Sequence, residues 1–75
     1  MSGETQIGDV TIIEDVEGNR VKMIFPERLS KEMYDFIRHQ GFVWSPTNGA
    51  WQRKRSSQAS VAAKECAEKY SGVMA

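Results

Sequence analysis

The stretch Phe42-Val43-Trp44-Ser45-Pro46-Thr47-Asn48-Gly49-Ala50-Trp51-Gln52-Arg53-Lys54-Arg55 decides the fold. Two short runs rich in β-formers flank a Pro-Thr-Asn-Gly tetrapeptide. Pro early in a turn and Gly at its end suit a type I turn closed by a left-handed glycine. A four-residue loop sets Trp44 opposite Trp51 and Phe42 opposite Arg53; a two-residue Asn48-Gly49 turn would pair Trp44 with Arg53 instead. The four-residue loop is favoured. Strand alternation sends Trp51, Arg53 and Arg55 to one face and Ala50, Gln52 and Lys54 to the other.

Upstream, residues 7–25 read as another hairpin, the first along the chain. Gly18-Asn19 can close a two-residue turn, since both residues tolerate positive φ. That register pairs Glu17 with Arg20, Val16 with Val21, Asp15 with Lys22, Glu14 with Met23, Ile13 with Ile24 and Ile12 with Phe25. Val10, Ile12, Val16, Val21, Met23 and Phe25 then share a face, and two cross-strand pairs are oppositely charged. Glu14 falls on the apolar face, and Ile13 and Ile24 fall on the polar one.

Between the hairpins, Ser30 is a natural N-cap, Leu29, Met33, Phe36 and Ile37 mark one face of a helix over roughly 31–40, and Gly41 stops it. After the second hairpin, Ser56 or Ser57 caps a helix to about Ser71, with Gly72 beyond it. Ala59, Ala62, Ala63, Cys66 and Tyr70 fall on one narrow, small-residue arc of that helix. The order is ββαββα, an α+β domain with both helices on one face of two antiparallel hairpins. The expected domain is single, spanning 1–75 with an ordered core of about 7–71. Phe25, Phe36, Trp44, Trp51 and Cys66 are its expected core, the small helix face matching the bulky tryptophans.

Seventy-five residues allow one small domain, and 40% apolar with 27% charged residues exclude a disordered chain. No stretch reaches the roughly 18 apolar residues of a membrane span. The opening Met1-Ser2-Gly3-Glu4-Thr5 lacks the basic head and apolar run of a secretory signal. Single Cys66 and single His39 leave no internal disulfide and no Cys/His zinc site, so neither metal nor cofactor is expected. No catalytic spacing is present, and the expectation is a non-enzymatic chain.

The formal net charge is zero, but it is unevenly placed. Residues 1–27 carry six acids against two bases, and residues 28–75 carry eight bases against four acids. No acid occurs from 36 to 64, a segment holding Arg38, Arg53, Lys54, Arg55 and Lys64. Such a basic half is either a solvated face or a phosphate-binding one. Exposed, the tryptophans with flanking cations would form a stacking platform for single strands; buried, they complete the core, and the buried arrangement is favoured because the hairpin otherwise offers the core little. On the opposite sheet face Ile13, Ile24 and Val43 could form a partner-binding patch. His39, near the end of the first helix, suits the helix dipole rather than a metal.

The residues Gly41-Phe42-Val43-Trp44-Ser45-Pro46, then Gly49-Ala50-Trp51-Gln52-Arg53, with Arg20-Val21-Lys22-Met23-Ile24-Phe25-Pro26 upstream, resemble a small module of phage, prophage and plasmid proteins. The likeness covers roughly residues 8–70. In that family the module commonly ends large mobile-element proteins that also hold methyltransferase, nuclease or antirestriction parts. A looser likeness is to the DNA-binding modules that precede annealing helicases. The resemblance implies a mobile-element setting, the cytoplasm of a bacterial host and a role near DNA; it carries over no functional residues, and this chain is expected to stand alone where the family's module is one part of a larger protein. The expected function is weak, non-specific association with DNA or RNA through Arg38, Arg53, Lys54 and Arg55. The alternative is a host or phage protein as partner, for instance a host defence complex that the chain inhibits.

Overall fold

The computed structural model describes residues 3–71. Five strands form one antiparallel sheet: β1 (Gly3–Ile7), β2 (Val10–Asp15), β3 (Arg20–Ile24), β4 (Val43–Ser45) and β5 (Ala50–Lys54), in the order β1-β2-β3-β5-β4. Helix α1 (Lys31–His39) lies between β3 and β4, and α2 (Ser57–Ser71) follows β5. The class is α+β. Strand β1 is an addition to the expected ββαββα order. Its Gly-Glu-Thr-Gln-Ile sequence shows no apolar alternation, and its side chains are exposed apart from the half-buried Ile7. The expected glycine stop at Gly72 lies outside the described residues.

One face of the sheet carries the core. Val10, Ile12, Val21 and Met23 are buried there beneath Ala59, Ala62, Ala63, Cys66 and Ala67 of α2. Alanines let the helix axis approach closely, so the volume beneath it is filled by the sheet's larger side chains. Ser56 caps α2, its hydroxyl accepting from the Ala59 N–H at 3.0 Å. Phe25 and Phe36 are partly buried against this core, with Phe25 meeting Tyr70 edge-on at 5.0 Å.

Helix α1 begins at Ser30, whose hydroxyl accepts from the Met33 N–H, and ends in a Schellman motif. Gly41 adopts φ +89°, its N–H donates to the Arg38 carbonyl at 3.0 Å, and the Phe42 N–H donates to the Ile37 carbonyl at 3.4 Å. This motif commonly joins the residue after the glycine to the last turn through an apolar contact. Phe42 and Ile37 are accordingly both buried, and Phe42 heads the largest fully buried side chains. The Gly41-Phe42 pair after a helix was the signal for that core position.

The first hairpin differs from expectation by two residues. Asp15 stands opposite Arg20, Glu14 opposite Val21 and Ile12 opposite Met23, across a loop of Val16 to Asn19. The Asp15 carboxylate accepts the Gly18 N–H at 3.0 Å, and only Asn19 of the Gly-Asn pair has positive φ, at 55°. A slip of two preserves the face of each paired residue, so Val10, Ile12, Val21 and Met23 are buried as expected, whereas Val16, expected on that face opposite Val21, falls in the loop. The Asp15–Lys22 ion pair survives as a diagonal contact of 3.3 Å, while Glu17 lies in the loop instead of opposite Arg20. Glu14 faces α2, accepting from the Ser60 hydroxyl at 3.3 Å.

Candidate binding surface

The second hairpin has the expected four-residue loop. Trp44 is opposite Trp51, the Gly49 N–H donates to the Ser45 carbonyl at 2.8 Å, and Gly49 takes φ +62°. The two tryptophans therefore share the helix-side face, yet their environments diverge. Trp51, on inner strand β5, is 4% exposed; Trp44, on edge strand β4, is 50% exposed. The expectation that both lie in the core is corrected by strand order. Helix α2 packs on β1, β2 and β3, and β4 has a strand neighbour on one side only. Trp44 touches Trp51 edge-on at 5.7 Å between ring centroids.

Tyr34 of α1 also meets Trp51 edge-on, at 5.2 Å, and is 41% exposed. These rings border a groove of about 590 Å³ whose walls include Phe25, Leu29, Tyr34, Trp44 and Trp51. Glu27 and Arg28 also line it. Arg38, one helical turn beyond Tyr34, holds its guanidinium over the Tyr34 ring at 6.0 Å from the centroid.

The basic run of the second hairpin is not one phosphate track. Arg53 is half-buried, and its Nη1 donates to the Gln40 carbonyl at 2.9 Å, satisfying the C-terminus of α1. Lys54, paired with Arg20 in the β3–β5 register, lies on the opposite sheet face. Arg55 sits 3.9 Å from the Glu14 carboxylate. Of the four expected cations, only Arg38 stands beside the aromatic groove. Sequence reasoning passed over Arg28 and Tyr34, which the fold places at the groove beside the edge-strand Trp44.

On the opposite face the expected apolar patch is divided. One cross-sheet row runs Ile13, Lys22, Gln52, Val43, placing two polar side chains between the two aliphatics. Ile24 lies in the neighbouring row, opposite Thr11. Val43 is 55% exposed at the β4 edge, remote from Ile13 by three strand spacings of about 4.8 Å each.

Cys66 is fully buried in the core, and burial pushes its thiol up to about 12, with the Glu65 charge adding to the shift. Such a thiol stays protonated and unreactive. Among the described residues no three His, Cys, Asp or Glu side chains are grouped to hold a metal ion, and no helix is long and apolar enough to cross a membrane. No protein-family model, curated protein or solved structure matches the chain.

Proposed function

We propose that this chain is a non-enzymatic accessory module that associates weakly and without sequence preference with nucleic acid, in the phage or mobile-element setting its second hairpin suggests. The observation that carries the reading is the half-exposed Trp44 beside Tyr34, with the Arg38 guanidinium over the tyrosine ring. Exposed aromatic rings with adjoining guanidinium groups match the chemistry of bases and phosphates together. The basic run supports this only in part, because Arg53 serves the helix end and Lys54 faces away.

Charge sets the strength. Few cations act together, and the acidic residues 1–27 oppose the same backbone. Affinity belongs in the non-specific range of about 10⁻⁴–10⁻⁶ M and falls with salt. Fluorescence-anisotropy titration of labelled single-stranded and duplex DNA and RNA at low and physiological salt tests this. Binding that weakens as salt rises is the expected result. Absence of binding to every nucleic acid at low salt overturns it and leaves a protein partner as the function.

A further inference from the structure

We infer that the groove between Tyr34 and Trp44 takes an unpaired base of a single-stranded nucleic acid, with Arg28 and Arg38 meeting its phosphates. This rests on the nucleic-acid reading above and names the site and the kind of strand.

The first support is an inventory of cations. Lys22 pairs with Asp15, Lys31 with Asp35 at 2.9 Å, Arg55 with Glu14 and Lys69 with Glu32 at 4.0 Å. Arg53 and Arg20 donate to backbone carbonyls. Among the described residues, Arg28 and Arg38 form no ion pair, and both stand at the aromatic groove: Arg28 lines it and Arg38 covers the Tyr34 ring. Lys54 and Lys64 are likewise outside any ion pair but belong to the open sheet face and to α2, away from this surface. Of the cations outside any ion pair among the described residues, Arg28 and Arg38 are the two that stand where the exposed rings are. Glu27 is the one carboxylate in the groove wall, and it keeps the affinity low.

The second support concerns what the edge of the sheet does not offer. The Ser45 carbonyl turns inward to the Gly49 N–H, so alternation leaves Trp44 as the β4 residue with outward peptide groups. Pro46 has no N–H, and the Phe42 N–H already bonds to Ile37. An extended polypeptide adding to β4 would gain few main-chain hydrogen bonds, which are the main source of affinity in strand addition. A base needs none of them; it needs a ring to stack on and an apolar wall. In a duplex the base faces are already stacked, so the groove discriminates against paired strands.

The experiment is an anisotropy titration of fluorescein-labelled oligo(dT), with unlabelled duplex DNA, thymidine monophosphate and polyglutamate as competitors. Two phosphate contacts give an expected log–log salt slope of about −1.4 for a single strand. Trp44→Ala weakens binding by about 5- to 150-fold, the range for loss of one stacked base, while Trp44→Phe retains it within a few-fold. Arg28→Gln with Arg38→Gln flattens the salt slope toward zero, and Lys54→Gln leaves it unchanged. Circular dichroism checks each fold; Trp44→Phe and the arginine pair keep the site testable if Trp44→Ala unfolds. Oligo(dT) binding that survives Trp44→Ala, a slope that survives the arginine double variant, or equal competition by duplex or polyglutamate overturns this assignment while leaving nucleic-acid association standing. Competition by thymidine monophosphate as strong as by the strand would assign the groove to free nucleotides and overturn it as well. No binding of any nucleic acid overturns both proposals.

Discussion

The two hairpins obey the same alternation rule and reach opposite outcomes. In β2–β3 both strands lie inside the sheet beneath α2, and the inward apolar side chains of each are buried: Val10 and Ile12 on one, Val21 and Met23 on the other. In β4–β5 only β5 is internal, and the inward face splits into a buried Trp51 and a half-exposed Trp44. Alternation chooses a face, but strand order decides whether anything covers it. A large aromatic left at an edge beside another exposed ring is more than the scattered surface apolar residue that every small domain carries.

Core truncations give the largest effect and the sharpest test of this contrast. In the first hairpin, Ile12→Ala and Met23→Ala should each cost about 2–4 kcal/mol, similar across the two strands. In the second, Trp51→Ala should cost about 3–5 kcal/mol and Trp44→Ala only about 1–2. A domain of this size has little more than the larger figure to lose. Urea denaturation followed by circular dichroism measures all four, and equal losses for the two tryptophans would erase the contrast.

The polar side of the second hairpin gives a smaller effect. Arg53→Ala removes the donor to the Gln40 carbonyl and should cost about 1 kcal/mol, while the neighbouring Lys54→Ala should stay within about 0.5 kcal/mol of wild type. Equal, negligible losses in thermal melts would show that Arg53 does not hold the end of α1.

These two predictions also mark how far the sequence could be read. Ser30, Gly41, the Pro46–Gly49 loop and the small face of α2 each declare themselves through local chemistry, and each is found where that chemistry sets it. The first hairpin's faces were legible because period-two alternation is local, whereas its register was not. The Asp15 carboxylate stabilises a longer loop by accepting the Gly18 N–H, and a two-residue slip changes no face. Strand β1 escaped because a polar edge strand needs no apolar pattern. The binding surface was least legible. Arg53 and Trp44 differ from their neighbours only through tertiary placement, and a linear sequence does not state that β5 lies between β3 and β4.

Acid gives the smallest effect, confined to the first hairpin. The Gly18 N–H, then Lys22, hold the Asp15 carboxyl below its ordinary value of 3.8. A carboxylate with a depressed folded pKa stabilises the fold above its unfolded value, and that contribution is lost as pH falls through the folded one. Asp15→Asn should therefore lower stability at neutral pH slightly and weaken its decline below about pH 3.8. Parallel acid-melting curves for the wild type and Asp15→Asn would contradict this. The second hairpin should show no matching response.

One tryptophan of the second hairpin, Trp51, builds the fold, and the other, Trp44, is the one proposed to meet the ligand. Two single-tryptophan variants, Trp44→Phe and Trp51→Phe, separate them by emission spectrum and by quenching with acrylamide during titration with oligo(dT). Trp44, seen alone, should emit as a solvated indole, quench readily and become protected as oligo(dT) binds; Trp51, seen alone, should emit as a buried indole and stay unchanged. A Trp44 that is already shielded in the free protein, or a signal on binding that comes from Trp51 instead, would contradict the account.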